Sequence, residues 1–163
     1  MPGLAIVTSG PGATNLFTPV ADCFYESIPC IFIAGQVNSK FLRPHKSIRQ
    51  IGFQETDIVS AVKPITKYAK MIKDPNKIRY ELEKSYSLCN SGRKGPVFLD
   101  IPLDVQKANI EISNLKGIEK SFNHILSGDT AKISFKKSSK GRYVNPDILS
   151  EDNIDGYNIQ LTI

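Results

Sequence analysis

Short apolar runs closed by Gly or Pro alternate along this chain with longer segments whose apolar residues recur every three or four positions. "LAIVT" (residues 4–8) is a β-branched run that ends at Ser-Gly-Pro-Gly, the form of a buried parallel strand. In "ATNLFTPVADCFYES" (13–27), Leu16, Val20, Cys23 and Phe24 share one helical face, and Pro19 inside the pattern predicts a kink or a late helix start. "CIFIA" (30–34) follows Pro29 and stops at Gly35-Gln36. "YAKMI" (68–72) and "PVFLDI" (96–101), the latter closed by Pro102, supply two more strands. Between them "FQETDIVSAV" reads as a short helix. Residues 75–90 read as the clearest helix, with Asp74 as N-cap, Pro75 at the first position and Gly92 as the stop. Its apolar positions are Ile78, Leu82, Tyr86 and Cys89.

The alternation β-α-β-α-β-α-β predicts an α/β fold, a parallel sheet with helices on both faces. Ligands of such sheets bind beyond the carboxyl ends of the strands. Three loops leave strands at that edge: Ser9–Gly12, Gly35–Val37 and Pro102–Asp104. Gly and Pro there let the backbone turn tightly and let a ligand approach main-chain N–H groups. "SGPG" is neither the dinucleotide fingerprint nor the nucleoside-triphosphate loop, so neither mechanism is supported, and taken alone it is equally a structural turn.

Composition narrows the class. A length of 163 residues, 40% hydrophobic and 23% charged, suits one globular α/β domain. No apolar run is long enough to span a bilayer, and the start has no basic segment of a secretory signal. Cys23, Cys30 and Cys89 sit in apolar segments without Cys-x-x-Cys spacing; they read as buried free thiols of a reducing, cytoplasmic setting. The net charge is +5. Lys40, Arg43, Lys46 and Arg49 crowd a stretch without acids, but Phe41 is the sole aromatic among them. Nucleic-acid modules interleave stacking aromatics with their basic residues, so this is a solvated basic loop rather than a nucleic-acid surface; no membrane partner is expected either.

Taken together, "VTSGPGATNLFTPVADCFYESIPCIFIAGQV", "GFQETDIV", "KPITKYA" and "SGRKGPVFLDIPLDVQ" resemble, in order and almost without gaps, the pyrimidine-binding domain of thiamine-diphosphate enzymes of the acetolactate synthase type. The resemblance runs from residue 3 to about 112 and gives the domain limits 1–112, with 113–163 as linker and tail. It implies thiamine diphosphate as cofactor, a 2-oxo acid as substrate and a homo-oligomer formed through the binding edge. The diphosphate and its Mg²⁺ would be held by a different domain on the partner subunit, and FAD occurs in some members. By motif position, Pro11, Gly12 and Asn15 would line the pocket or interface, and Ser27 and Gln36 would support the same edge. Phe53 and Gln54 would face the reactive ring and the substrate, and Arg93 matches an arginine that contacts flavin. Each also has a plainer reading: Asn15 satisfying helix-start donors, Phe53 in the core, Arg93 pairing with an acid.

The departures from the family pattern set further expectations. Its catalytic glutamate, which hydrogen-bonds the pyrimidine and so triggers ionisation of the thiazolium, lies on a strand well upstream of the Gly-Pro-Gly loop. No acid precedes Ser9 here, and Glu26 and Glu55 belong to other motifs, so no catalytic residue is carried over. The pattern is that of a member lacking its first β-α-β portion: either part of a carboligase or decarboxylase, or a non-catalytic truncated chain that keeps only the fold and interface. No metal ligand is carried over either. Gly128-Asp129 with Asn153 mimics the Mg²⁺-diphosphate motif, but Thr130 replaces its second Gly and the apolar helix between is missing. Residues 121–163 are rich in Ser, Lys, Asn, Asp and Gly, with apolar patches only at "ISF" and "YNIQLTI", and read as a poorly structured tail. Finally, acetolactate synthases carry Lys where this chain has Leu103, which removes a charge-assisted contact to a carboxylate worth roughly 1.5–3 kcal/mol. A different or larger substrate is therefore expected.

Overall fold

The computed structural model describes residues 1–118, 132–135 and 159–162. The chain divides into two compact units, Met1–Glu119 and Lys120–Ile163. In the first, four strands form one parallel sheet: β1 Gly3–Val7, β2 Cys30–Gln36, β3 Tyr68–Met71 and β4 Pro96–Pro102. Their order is β1-β2-β4-β3, with Gly3 opposite Cys30, Cys30 opposite Pro96 and Tyr68 opposite Val97. The helices are α1 Pro11–Thr14, α2 Phe17–Tyr25, α3 Ile58–Val62, α4 Ile78–Asn90 and α5 Leu103–Gln106.

Strand order and right-handed crossovers decide which face each helix covers. The connections to β2 and from β2 to β3 run one way across the sheet and the β3-to-β4 connection runs back, so α4 lies opposite α2 and α3. Side chains alternate accordingly. Phe32, Ala34 and Phe98 pack with Leu16, Val20, Ile58 and Val62, while Leu99 packs with Ile72 and Val105, against Ile33, Ile78 and Ile101. Phe32 and Phe98 stack with ring centroids 6.3 Å apart. The expected α/β sheet with helices on both faces is therefore present.

Several local expectations are corrected. The single helix expected over 13–27 is replaced by α1 and α2, while the late start that Pro19 predicts is present, α2 beginning at Phe17. Of "FQETDIVSAV" only Ile58–Val62 is helical: the Asp57 side chain accepts the Ser60 N–H and starts the helix there, leaving Phe53–Thr56 outside it. The 75–90 segment opens with a 3₁₀ turn, Pro75–Lys77, capped by Asp74. β1 is an edge strand, so the expectation that it is buried fails for one face: Leu4 and Ile6 are exposed while Ala5 and Val7 pack on the core. On α4 the side facing the sheet carries Glu81, Ser85 and Cys89, while Leu82 and Tyr86 are largely exposed.

Glu81 is inside because β3 satisfies it. Tyr68 Oη donates to one carboxylate oxygen at 2.6 Å and Lys70 Nζ approaches the other at 3.0 Å. Burial alone pushes the Glu81 carboxyl up, but the bonds from Tyr68 and Lys70 outweigh it and hold the group below the usual range. Burial and the neighbouring carboxylate raise the Tyr68 phenol, keeping it a donor. Tyr68→Phe leaves a buried carboxylate one donor short and is expected to destabilise the unit by about 1.5–3 kcal/mol, read from urea midpoints. An unchanged midpoint would show that Lys70 alone suffices.

The first unit runs past residue 112. Ile118 N donates to Glu83 Oε2 at 2.8 Å and Leu115 is buried, which fastens residues 112–118 to α4. In the second unit, β5 Lys132–Phe135 pairs antiparallel with β6 Ile159–Thr162, at the two apolar patches of the sequence. The rest of the 121–163 segment, with Gly128, Asp129, Thr130 and Asn153, lies outside the described residues. Among the described residues, no helix is long and apolar enough to cross a membrane. The cysteines are free thiols, Cys30 and Cys89 buried and Cys23 half-buried. Burial raises all three, Cys30 to about 11, so none is a ready nucleophile.

Candidate functional site

The carboxyl ends of β1, β2 and β4 lie on one edge of the sheet; β1 leaves it by the Ser9–Gly12 turn, while Gly35-Gln36 and Pro102 are the last residues of β2 and β4. After β1, Gly10 has φ +62°, a conformation glycine adopts without strain. It also lies against Gln54: a Cβ built there would be 2.7 Å from both the Gln54 Cβ and its carbonyl oxygen. Pro11 then opens α1, with Pro11 and Asn15 exposed and Gly12 half-buried. The Ser9–Gly12 loop is thus one wall, and the turn carrying Gln54 rests on it.

That turn, Gly52–Thr56, follows no strand, yet three contacts bring it to the edge. Gly52 packs under Val37, whose methyls would lie 2.9 Å from an added Cβ. Gln54 touches Gly10. Most directly, Gln36 at the end of β2 donates from Nε2 to the Thr56 carbonyl at 2.8 Å. The turn's own bonds shape it: Glu55 accepts from the Arg43 and Ile51 N–H groups at 2.7 and 3.1 Å, and Arg43 pairs with Asp57 at 3.5 Å. Gln54 has φ +59°, uncommon for a residue with a side chain and frequent where a loop is held in one shape. Phe53, held by its neighbours in this turn, is 81% exposed, which overturns its placement in the core.

Gln36 is almost wholly buried, and its polar atoms are committed. Nε2 also donates to Asp100 Oδ2 at 2.9 Å, and Oε1 accepts the Val37 N–H at 2.9 Å. Asp100, on β4, is fully buried, and its Oδ1 has no hydrogen-bond partner among the described residues. Burial pushes its carboxyl up to about 7, with the Gln36 bond working against that rise and the charge of Asp57 adding to it. On the same edge Asp104 Oδ1 accepts the Ser39 N–H at 2.8 Å, tying the basic loop to α5; that bond holds the exposed carboxyl below its usual range.

Pro11, Gly12, Asn15, Gln36, Phe53 and Gln54 therefore come to the carboxyl edge. Ser27 and Arg93 do not. Ser27 precedes β2 and Arg93 precedes β4, so both lie at the amino ends of the strands, and the expectation that Ser27 and Gln36 support one edge is corrected. Arg93 Nε donates to Ser27 Oγ at 2.7 Å and Nη2 to the Tyr25 carbonyl at 3.0 Å. Arg93 thus meets an alcohol and a carbonyl, not an acid. Ser27 has φ +60° just past α2, where Ile28 N bonds back to the Cys23 carbonyl, the form of a helix C-terminus. Asn15 closes α1 through its backbone N–H rather than starting a helix with its side chain. Sequence reasoning missed Thr56, Gly52 and Asp100. The one signal for Asp100 was an acid inside the apolar run "PVFLDI".

In chemical terms the edge offers an exposed phenyl ring, amides and one buried carboxyl. No lysine or arginine lies in Ser9–Gly12, Gly35–Val37 or Gly52–Thr56. Such a set fits a flat, uncharged heteroaromatic ring and does not match a diphosphate, which calls for charge-assisted donors or a metal.

Residues 1–61 match the family described as thiamine pyrophosphate enzyme, N-terminal TPP binding domain. The acetolactate synthase large subunit of Corynebacterium glutamicum is 45% identical over 109 residues, 67% of this chain and 16% of that protein. The chloroplastic acetolactate synthase of Arabidopsis thaliana is 42% identical over 106 residues, covering 65% of this chain and 15% of that protein. The mitochondrial acetolactate synthase catalytic subunit of Saccharomyces cerevisiae is 40% identical over 107 residues, covering 66% and 15%. The chain thus spans about one-sixth of the length of the curated relatives it matches.

Proposed function

The N-terminal part of this chain is a thiamine pyrophosphate enzyme N-terminal domain of the acetolactate synthase type, and from that premise we propose that its carboxyl sheet edge binds the pyrimidine end of thiamine diphosphate. The observation that supports the reading is the convergence of the Ser9–Gly12 loop, the end of β2 and the Gly52–Thr56 turn, through the Gly10–Gln54 contact and the Gln36–Thr56 bond, without a cation among them. Gln54 and the exposed Phe53 ring stand at the open side of the edge, where a flat ring can stack. When bound, the cofactor supplies the nucleophilic carbon that attacks the carbonyl of a 2-oxo acid. This chain's residues orient the ring and exclude water from one side of it. The diphosphate and Mg²⁺ belong to residues away from this edge. A flavin would take a separate position at the opposite edge, where two guanidinium nitrogens of Arg93 are already committed.

The reading includes self-association over this edge, supported by the exposure of Phe41, Ile51, Phe53 and Leu103 on the loops around it. It also includes a substrate other than that of the Lys-bearing enzymes, since Leu103 offers a 2-oxo acid carboxylate no cation. Normal acetolactate formation by a complete enzyme that retains Leu103 would count against that second point.

The test is titration of the 163-residue chain with thiamine, followed by NMR. Shifts are expected at Gly10–Asn15, Gln36, Phe53 and Gln54, with Ser27 and Arg93 unmoved; shifts confined to Ser27 and Arg93 would overturn the assignment. Calorimetry with thiamine diphosphate and Mg²⁺ is expected to show binding no tighter than about 10 μM, roughly 7 kcal/mol, and no turnover of pyruvate. Tighter binding would mean that this chain carries a diphosphate anchor of its own.

A further inference from the structure

We propose that Asp100 is a positioning residue for this edge: through Gln36 it fixes the Thr56 carbonyl and so holds the Phe53–Gln54 turn against the sheet. The functional sense of the inference rests on the pyrimidine-pocket reading, whereas the clamp itself does not.

Asp100 occupies a strand position whose neighbours Phe98 and Leu99 are fully buried and apolar. A carboxyl there gives up solvation and recovers one hydrogen bond, from Gln36, with Oδ1 left unpartnered. Packing does not explain its presence. The chain of contacts it anchors does. Both N–H groups of the Gln36 amide are used, one on Asp100 and one on Thr56, while its oxygen holds Val37. Among the described residues, the Gln36–Thr56 bond is the hydrogen bond that ties the turn to the sheet; Glu55 and Gly52 bond within the loop, to Arg43, Ile51 and Phe41. Without an acceptor at position 100, Gln36 has a buried N–H unsatisfied and gains by rotating away, which releases Thr56.

The protonation state of Asp100 bears on the same clamp. Burial brings its titration to about pH 7, and the charged group that faces it is Asp57, itself countered by Arg43. The neutral acid keeps Oδ2 as acceptor for Gln36 and carries no buried charge. The anion keeps the bond but gains hydration when the turn opens. Opening of the turn therefore becomes easier as pH rises through neutrality.

Hydrogen exchange of the full chain, corrected for intrinsic rates and read at residues 52–57, tests this. In the parent, the open fraction is expected to rise about tenfold between pH 5.5 and 8.5. Asp100→Asn keeps the acceptor and cannot ionise; it should stay closed and show no such rise. Asp100→Leu should open the turn about tenfold at both pH values while β2 and β4 stay protected. An Asn variant with the parent's pH dependence would overturn the pH coupling, and a folded Leu variant whose turn exchanges within twofold of the parent at pH 5.5 would overturn the clamp. Where the Leu variant fails to fold, Gln36→Met, which removes the donor to the Thr56 carbonyl, is expected to open the turn about tenfold, and exchange within twofold of the parent there would overturn the clamp. Neither readout involves cofactor, so a chain that behaves this way and ignores thiamine refutes the pocket and leaves the clamp.

Discussion

Asp100→Asn is expected to remove about 4 kcal/mol of pH dependence from the stability of this chain between pH 4 and pH 8. In the unfolded chain this carboxyl titrates at its ordinary 3.8, whereas in the folded protein burial raises it to about 7. Between those values the folded state holds a proton that the unfolded state has lost. The sign follows: the stability contribution is full below pH 3.8, is lost progressively as pH climbs to about 7, and does not change beyond. A displacement of that size amounts to about 4 kcal/mol, at 1.36 kcal/mol for each tenfold change in acidity. Asparagine cannot ionise, so the stability of the variant minus that of the parent should grow by about this amount from pH 4 to pH 8, on top of a constant offset set by how its amide packs. Carboxylates that do not interact with Asp100 cancel in the difference, whereas Asp57, whose charge acts on Asp100, leaves a smaller residual. Urea unfolding of both chains at the two pH values measures it, and a difference constant to within about 1 kcal/mol would mean that Asp100 is ionised in the fold throughout.

The sheet was legible in the sequence because its signals are local. A β-branched run that stops at Gly or Pro is a strand wherever it ends up, and all four strands lie within a residue or two of where the pattern puts them. What escaped the pattern depends on neighbours distant along the chain. Strand order makes β1 an edge and leaves Leu4 and Ile6 uncovered, although their run looks like the buried ones. Glu81 turns inward, and Leu82 outward, because Tyr68 and Lys70 on β3 offer the carboxylate its partners. No periodicity within α4 contains that information.

The candidate site divides in the same way. Loops that directly follow strands, Ser9–Gly12 and Gly35–Val37, were placed at the carboxyl edge by topology alone. Gly52–Thr56 follows no strand, and its apolar and polar residues blend into the helix that starts at Asp57, so its position became visible only with the Gln36–Thr56 bond. Ser27 and Arg93 sit in motifs beside the site residues in sequence but before their strands rather than after them, which sends them to the other edge.

Gly10→Ala is expected to disrupt the site more than any other single methyl group, because it strains two loops at once. A side chain at φ +62° costs about 1–2 kcal/mol on backbone grounds. The added carbon would also meet the Cβ and carbonyl oxygen of Gln54 at 2.7 Å, and backbone atoms cannot rotate out of the way. Gln54 has little room to retreat: at φ +59° it occupies a narrow well, with Thr56 held by Gln36 two residues on. Adding an overpacking cost of about 1–3 kcal/mol gives a total of roughly 2–5 kcal/mol. Gly12→Ala is the control, since its Cβ would meet Thr8 Cγ2 at the same 2.7 Å, a side-chain methyl on an exposed residue that can turn aside. Its cost should stay below about 2 kcal/mol. Urea midpoints rank the two variants, and thiamine titration should show the Phe53 and Gln54 shifts lost in the first. Equal costs for the two would mean that the Ser9–Gly12 loop and the Gln54 turn are not in contact in solution, and the wall they form together would not exist.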